Sequence, residues 1–466
     1  AEASSANPGN KLQVNIEVLN RSASPITLKT IDIIKANTSA SPNIVLNNNV
    51  KNTFDLEVTI PADIEYTSPY WLKEKGTLGM YKVTNEDFIG LPEVTDQFPV
   101  HFNLSIEGVP ITIVKNIVYK FNDPVKGEVY RPFQVLPEVT SSIPEKVLIF
   151  ATSKSKEIPV KLRAGRDGIT GTVTLQHPKG WIVSPEQHTF SLGRMGEEQT
   201  LIFNVQPPKE QSEGLLKPLV HIGDRFFNKE LATIDYDHIP FQSVLLPSEA
   251  KIVRINIQKK GQHIGYINGA GDAIPESLKQ IGYSVTTIPP SELTEEHLKH
   301  FDAIVVGIRA YNTVPELAFT QSVLNNYVAT GGNLILQYNT NHRMVTPDIA
   351  PYPLKLSRDR VTDEHSEVKI LAPDHTVLNS PNKITLADFD GWVQERGLYF
   401  PNEWADEFTP ILGMNDKEYP ETKGSLLVAS HGKGHYIYTG LSFFRELPAG
   451  VPGAYRLFAN LLSIGN

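Results

Sequence analysis

The pattern of apolar and polar positions changes near residue 250. Before it, apolar residues alternate with polar ones, as at Leu12, Val14, Ile16 and Val18, and turns rich in Pro, Asn and Gly separate the segments. A period of two is typical of half-buried strands. After residue 250, short apolar runs alternate with segments of helical period, which indicates parallel strands covered by helices. The chain is therefore predicted to be a multidomain protein that joins β modules to an α/β module.

Two antiparallel β-sandwiches of the immunoglobulin type are predicted in the first half. Residues 1–10 are small and polar and predict a linker tail. Residues 11–125 predict the first sandwich, with a hairpin at Gly108-Val109-Pro110. A turn at residues 123–127 predicts the boundary to the second sandwich, which with a linker fills residues 126–250.

Residues 251–466 predict an open, mostly parallel sheet of the flavodoxin or amidotransferase type. A helix is expected at residues 273–282, ended by Gly282, and another at residues 293–301 with Ser291 as its cap. In the next helix Phe319, Val323 and Tyr327 fall at i, i+4 and i+8, a spacing typical of one helix face, and Gly331-Gly332 is expected to end the helix.

Composition excludes several kinds of chemistry. The 466 residues carry a net charge of −9 without a basic stripe, so a nucleic-acid partner is not expected. The absence of cysteine rules out disulfides, thiolate metal sites and a cysteine nucleophile. It is compatible with an exported protein, as with many cytosolic ones, and we expect an extracytoplasmic location. No apolar run reaches the ~18 residues of a membrane span.

Polar residues follow the predicted parallel strands. Ligands of open α/β sheets bind beyond the carboxyl ends of the strands, and amides, guanidinium groups and aromatic faces suit sugars. The candidate ligand-binding residues are Asn268, Asp272, Arg309, Tyr311, Asn312, Gln337, Tyr338, Asn339 and Asn341, together with Trp392 and Arg396 from a later Trp-rich segment. The alternative is a solvated rim whose side chains cap helices and loops.

Acid–base chemistry has three candidates, Glu395, Glu403 and His342. Carboxylates beside tryptophans form either a glycosidase couple or a sugar platform, and the alternative is an insertion held by Trp packing and Arg–Glu pairs. No catalytic residue is assigned.

No metal or cofactor is predicted. The acidic and histidine residues at 363–365 and 374–375 match no known ligand spacing. The glycines at 269 and 271 lack the third glycine of a dinucleotide loop.

Two modules resemble known families. Pro178-Lys179-Gly180-Trp181 followed by Val183-Ser184-Pro185 resembles the NEW3-type immunoglobulin-like modules over residues 133–208. Residues 264–268, 302–307, 327–334 and 432–441 resemble the class I glutamine-amidotransferase-like superfamily, especially its ThuA-like branch. Those amidotransferases carry a cysteine at an elbow after the Gly-Gly turn. Residues 336–340 offer none here, so that activity is not implied.

The whole chain resembles the C-terminal, non-catalytic region of long bacterial LmbE-like (PIG-L) deacetylases. Ser68-Pro69-Tyr70-Trp71-Leu72 and residues 307–312, 332–341 and 450–456 carry this resemblance. The family's zinc motif, Pro-His-Pro-Asp-Asp, is absent. The resemblance implies an accessory region that docks the zinc-dependent N-acetyl-sugar deacetylase domain of a parent protein or recognises carbohydrate. The alternatives are a ThuA-like sugar hydrolase or isomerase and a structural spacer.

Overall fold

The computed structural model describes residues 1–77, 79–91 and 98–465, and strands account for most of its regular structure. The described residues form ten sheets of two to seven strands, most of them antiparallel. The prediction of a β-rich protein with several modules is confirmed. The immunoglobulin-type and amidotransferase-type assignments stay predictions.

The N-terminal module contains β1 (Ser5–Ala6), β2 (Lys11–Leu19), β3 (Ile26–Ile33), β4 (Thr38–Ala40), β5 (Ile44–Leu46), β6 (Lys51–Thr59), β7 (Pro99–Ile106), β8 (Val109–Asn116), β9 (Val118–Asp123) and β10 (Gly127–Pro132). Strands β2 and β6 pair with each other, and β4, β3, β7 and β8 form a second sheet to which β5 adds. Leu12, Val14 and Ile16 are buried while their neighbours are exposed, as the alternation predicts. The predicted hairpin is confirmed, because Ile106 of β7 pairs with Val109 of β8.

The first ten residues are ordered rather than a free tail. Strand β1 pairs in parallel with β11 (Gln134–Val135), and Asn7 is buried with its Nδ2 atom donating to the Leu136 carbonyl at 2.9 Å. The predicted boundary at residues 123–127 is the turn of the β9–β10 hairpin.

The middle module continues with β12 (Val139–Ser142), β13 (Val147–Phe150), β14 (Lys156–Ala164), β15 (Ile169–Gln176), β16 (Ile182–Ser184), β17 (Gln187–Leu192), β18 (Glu198–Gln206), β19 (Ser212–Ile222), β20 (Arg225–Phe227), β21 (Lys229–Ile234), β22 (Gln242–Pro247) and β23 (Ala250–Arg254). Two sheets enclose a core in which Trp181 packs edge-on against Phe150, with ring centroids 5.0 Å apart. Strand β23 lies between β13 and β19. The module therefore extends past residue 250, because the apolar face of β23 completes this core.

The C-terminal module contains β24 (His263–Ile267), α1 (Ile274–Gln280), β25 (Ser284–Thr287), α2 (Glu295–Leu298), β26 (Ala303–Val306), α3 (Ala310–Thr313), α4 (Leu317–Ala329), β27 (Asn333–Gln337), β28 (Leu354–Val361), β29 (Val368–Ile370), α5 (Thr376–Asn379), β30 (Gly397–Trp404), β31 (Phe408–Pro410), β32 (Leu412–Met414), β33 (Leu426–His431), β34 (Gly434–Thr439), α6 (Phe443–Glu446) and α7 (Pro452–Ser463). Its main sheet has the order β25, β24, β26, β27, β34, β33, β31. The first five strands pair in parallel, and β33 pairs antiparallel with both of its neighbours, β34 and β31.

Apolar residues of the main sheet point to two separate cores. Val305 and Ile335 contribute to the core that contains residues of α1 and α7, and Ile304 and Leu336 to the core that contains residues of α4. Both faces of the sheet are therefore covered, which explains the continuous apolar runs of its strands.

Two helix predictions are wrong in detail. Phe319 is 85% exposed, and α4 instead buries Leu317, Gln321, Leu324 and Val328 together with Tyr327. Helix α2 is only four residues long, and its N-cap is Thr294, whose side chain accepts a hydrogen bond from the His297 backbone N–H. Among the described helices none is long and apolar enough to cross a membrane.

The middle and C-terminal modules are in contact. The Gln280 side chain accepts from the Ile149 N–H at 2.7 Å and donates to the Val147 carbonyl at 3.1 Å. Lys251 Nζ donates to the carbonyls of Ala449 and Gly450 at 3.2 and 3.1 Å. Ile149 also belongs to the same hydrophobic cluster as α1.

Candidate functional site at the carboxyl edge of the sheet

The loops after β24, β26 and β27 pack tightly at the carboxyl edge of the sheet. Ala270 N–H donates to the Ile308 carbonyl at 2.9 Å, and a Cβ atom on Gly269 would lie 2.1 Å from the same oxygen. Arg309 N–H donates to the Tyr338 carbonyl at 2.8 Å. Backbone therefore fills the space between β24 and β26, and the side chains that remain accessible lie nearer β27.

Aromatic and charged side chains converge around Tyr338, which directly follows β27. The ring of Tyr338 lies parallel to that of Tyr399, with an interplanar angle of 9° and centroids 6.1 Å apart, and its centroid is 5.2 Å from that of Phe444. The edge patch is defined here as Arg309, Tyr338, Glu395, Tyr399, Phe444 and Arg445.

Three residues in or beside the edge patch have a left-handed backbone. The φ angles of Arg309, Gln394 and Tyr399 are 56°, 70° and 54°. Such a conformation costs a non-glycine residue roughly 1–2 kcal/mol, and strained residues of this kind cluster at functional sites. Tyr399 is skipped in the pairing of β28 with β30, so it forms a bulge. Bulges redirect side chains, and this one presents the Tyr399 ring to Tyr338.

The charged members of the edge patch are held in place. Arg445 Nε donates to Glu395 Oε1 at 2.8 Å and its Nη1 to Gln394 Oε1 at 2.8 Å. The same guanidinium lies 4.8 Å from the centroid of the Phe444 ring. Burial raises the pKa of Tyr338, while the positive charges of Arg309 and Arg445 act in the opposite direction. The phenol is therefore a neutral hydrogen-bond donor at neutral pH.

Asp272 and Gln337 lie beneath this surface. The Tyr266 hydroxyl donates to Asp272, with distances of 2.7 and 2.6 Å to its two oxygens, and accepts from Gln337 Nε2 at 3.2 Å. Asp272 also accepts from the Ile274 N–H at 3.0 Å. Burial and the Asp272 charge hold the pKa of Tyr266 far above its usual value. These groups fix the loop to the sheet.

Tyr311, Asn312 and Asn339 also bond within the protein. Asn339 Oδ1 accepts from the Tyr311 N–H at 2.8 Å, and Asn312 bonds the backbone of Thr340 and His342. Tyr311 and Asn339 are buried, so neither lines an accessible surface.

Of the remaining predicted ligand-binding residues, two are exposed and two are buried. Asn268 and Asn341 are exposed. Trp392 and Arg396 are buried instead of lining a surface: the Trp392 indole donates to the Asp388 carbonyl at 3.0 Å, and Arg396 Nη2 donates to the Ser366 carbonyl at 2.9 Å.

The three catalytic candidates are not brought together as an acid–base couple. Glu395 precedes β30, whereas Glu403 lies near the far end of this strand and pairs with Lys355 at 2.6 Å. Strand geometry separates the two carboxylates by roughly 15–20 Å, beyond the ~5–9.5 Å of glycosidase pairs. His342 is exposed in the loop after β27.

The Asp363, Glu364 and His365 side chains have ligand atoms within 4.8 Å of one another. They are sequence neighbours, and Asp363 and His365 are exposed. At the other acidic and histidine pair, His375 Nδ1 accepts from the Val377 N–H at 3.3 Å. We assign no metal to either place.

Sequence reasoning missed three members of the edge patch. Tyr399 occupies a bulge, and Phe444 and Arg445 belong to the short helix α6. Neither position follows a period, so no local pattern marks these residues.

No family model matches this chain, and no curated protein is significantly similar to it. Similar solved structures include the exo-β-1,4-mannosidase Op5Man5 from Opitutaceae bacterium strain TAV5, with 10% identity and a TM-score of 0.27 over 43% of this chain and 35% of that enzyme. A family 123 glycoside hydrolase from Clostridium perfringens has 9% identity and a TM-score of 0.17 over 43% of this chain and 37% of that one. WR4, a C. elegans MSP family member, has 6% identity and a TM-score of 0.15 over 25% of this chain and 97% of WR4.

The matched part of this chain thus spans little more than a third of either glycoside hydrolase. TM-scores this low do not establish a shared fold.

Proposed function

We propose that this chain is the accessory region of an LmbE-like (PIG-L) N-acetyl-sugar deacetylase and that its edge patch recognises saccharide. The observation that carries the proposal is the convergence of Tyr338, Tyr399 and Phe444 with Arg309, Glu395 and Arg445 at the carboxyl edge of the sheet. Sugar rings stack on aromatic faces through their C–H groups, while their hydroxyls bond charged and phenolic groups.

The identity of the residue after β27 supports a binding role over a catalytic one. Tyr338 lies within residues 336–340, the stretch that resembles the cysteine elbow of class I glutamine amidotransferases, and the chain has no cysteine at all. A nucleophile elbow is a sharp, strained turn, whereas Tyr338 is not among the residues with positive φ. Because only 8% of Tyr338 is exposed, its ring supports the more accessible rings of Tyr399 and Phe444, which offer the stacking surface.

Binding is expected to be weak but specific. Few rings and hydrogen bonds contribute and a shallow patch buries little ligand surface, so we expect a dissociation constant of roughly 0.1–1 mM. The Arg445–Glu395 and Arg445–Gln394 hydrogen bonds orient the polar groups before the ligand arrives, which reduces the entropy cost.

Calorimetric titration with N-acetylglucosamine oligomers and cell-wall glycan fragments tests this function. Tyr338→Ala removes the ring against which Tyr399 and Phe444 pack and should weaken binding about fivefold or more, because loss of the aromatic contact costs ~1 kcal/mol or more. Tyr236→Ala is the matched control, since Tyr236 is an exposed tyrosine of the middle module. Equal binding by wild type and Tyr338→Ala would contradict the proposal.

The accessory role has its own test. Purified chain is mixed with an LmbE-like deacetylase domain, and deacetylation of N-acetylated oligosaccharides is measured with and without it. We expect no turnover by the chain alone and a lower KM for the mixture. Turnover by the chain alone that disappears in Glu395→Gln would show an enzyme instead, and an unchanged KM would leave only a spacer.

A further inference from the structure

A second groove lies on the C-terminal module, between the paired strands β28 and β30 and the segment of residues 416–423. Its volume is about 660 Å³, which accommodates one or two sugar rings. Side chains that line it include Arg358, Asp359, Arg360, Asn402, Trp404 and Tyr419. None of them belongs to the edge patch.

Two aromatic residues contribute to the groove from its two lining segments. Trp404, at the end of β30, is half-buried, and its inner part packs against the core on the α4 side of the sheet. Tyr419, in the facing segment, is 72% exposed. A tryptophan anchored in this way offers a fixed flat surface without losing side-chain entropy when a ligand binds.

The acidic residues at the floor and rim of the groove already have partners. Asp416 accepts hydrogen bonds from the backbone N–H groups of Thr362 and Asp363 at 2.9 Å. Glu421 pairs with Lys369 at 2.9 Å. Both carboxylates are therefore held by protein donors, and Asp416 remains a negative charge without an ion pair among the described residues.

The two arginines of the groove, Arg358 and Arg360, have no side-chain partners among the described residues. Arg358 and Arg360 are exposed, and among the described residues neither guanidinium has a hydrogen bond or an ion pair. Arg358 and Arg360 carry two positive charges on the β28 side of the groove, and Asp359 between them carries one negative charge. These three side chains therefore have a net charge of +1. An arginine without a protein partner presents its full fork of donors to a ligand.

A β-bulge sets the direction of these side chains. In the pairing of β28 with β30, Leu356 opposes Pro401 and Asp359 opposes Phe400, so Ser357 and Arg358 have no opposite residue. The Ser357 hydroxyl stabilises the bulge by donating to the Phe400 carbonyl at 2.7 Å and accepting from the Asp359 N–H at 2.8 Å. Arg358 in the bulge and Arg360 beyond it both line the groove.

We infer that this groove binds an acidic saccharide, a sugar ring that rests on Trp404 while its carboxylate accepts hydrogen bonds from Arg358 and Arg360. Guanidinium–carboxylate pairs are short and directional, so they distinguish a uronic acid from its neutral counterpart. Asp359 and Asn402 supply acceptors for the ring hydroxyls. This site is independent of the edge patch and does not rest on the proposed deacetylase role.

The test uses one oligosaccharide in two forms. Tetragalacturonate and its fully methyl-esterified counterpart, which has the same rings without the charge, are titrated into the full chain and followed by calorimetry. We expect the acid to bind at least tenfold more tightly than the ester, with an affinity that falls as the salt concentration rises. Equal affinities, or no binding of the acid at millimolar concentration, would overturn the inference without any variant.

Substitutions then locate the site. Arg358→Ala and Arg360→Ala should each weaken binding of the acid about tenfold, while Arg194→Ala, at an exposed arginine of the middle module, should leave it unchanged. Tyr338→Ala should also leave it unchanged, which separates this site from the edge patch. Loss of acid binding in Tyr338→Ala, with Arg358→Ala unaffected, would place the ligand elsewhere and refute the assignment.

Discussion

Glu446 is a carboxyl group with no exposed surface. Its Oε2 atom accepts a hydrogen bond from the Val393 N–H at 3.0 Å, and Oε1 has no partner among the described residues. Burial raises its pKa to about 8, although that hydrogen bond and the positive charge of Arg396 act in the opposite direction. Glu446 is therefore neutral in the folded protein at pH 7.

This neutral carboxyl group makes the C-terminal module less stable as pH rises. The unfolded chain loses the proton near pH 4.5, whereas the folded chain keeps it up to about pH 8. Between these values the folded state binds more protons, so the free energy of unfolding falls by up to ~1.4 kcal/mol per pH unit and levels off above pH 8. Glu446→Gln should remove this dependence.

Hydrogen exchange measures the pH dependence of stability near Glu446. Peptides that cover Val393 and α6 are followed at pH 6 and pH 9 and corrected for the intrinsic exchange rate. Wild type should lose protection at pH 9, and Glu446→Gln should lose much less. The control is Glu407→Gln at an exposed position, which should behave like wild type. Identical pH dependence in wild type and Glu446→Gln would show that Glu446 titrates normally.

At the scale of single residues, the sequence predicts which residues lie near the edge of the sheet better than it predicts whether their side chains are buried. Arg309, Tyr338 and Glu395 were predicted from their place after strands or beside a tryptophan, and they do converge in the edge patch. Asp272 was predicted by the same rule and lies underneath, because the buried hydroxyl of Tyr266 needs an acceptor. A polar side chain turns inward when a buried group elsewhere in the fold needs a hydrogen-bond partner. The local sequence does not show where such a buried group lies.

At the scale of elements, the period of apolar residues predicts that a helix or strand exists but not which of its faces is buried. Strand β2, the β7–β8 hairpin and α1 follow their patterns closely. Helix α4 also exists, yet Phe319 at the start of the predicted stripe points to solvent while Tyr327 at its end is buried with Leu317 and Leu324. Both sides of the helix carry apolar residues, so tertiary packing decides which of them are buried.

The bulge in β30 yields a prediction about backbone strain. At a φ of 54°, glycine is unstrained and alanine is not, so Tyr399→Gly should be more stable than Tyr399→Ala by about 1 kcal/mol. Neighbouring Leu398 pairs regularly with Arg360, and there the order should reverse, with glycine less stable than alanine by roughly 0.5–1 kcal/mol. Thermal unfolding of the four variants measures both differences. The same order at both positions would mean that the bulge is not maintained in solution.

At the scale of the molecule, composition and pattern predict several modules but not how they join. The change of pattern near residue 250 is real, yet β23 belongs to the middle module, because its apolar residues complete a sheet that begins more than a hundred residues earlier. The junction depends on Gln280, a polar residue at the end of α1 that no pattern distinguishes from other surface amides.

The junction is tested by Gln280→Ala. This substitution leaves the Ile149 N–H and the Val147 carbonyl without their side-chain partner, which costs about 1–3 kcal/mol where water cannot replace it. The middle module has a core of its own, whereas the core around α1 and α7 also includes Ile149 and Val253 of the middle module. The loss should therefore weaken the coupling of the modules more than their folding. Calorimetric unfolding should resolve into more separate transitions, and small-angle scattering should show a larger radius of gyration. The control is Lys279→Ala on the same helix. Lys279 forms a long ion pair of 3.9 Å with Glu276 of its own helix, so this variant should change neither the unfolding transitions nor the radius of gyration. A variant that unfolds and scatters like wild type would mean that Lys251 and the apolar contacts alone hold the two modules together.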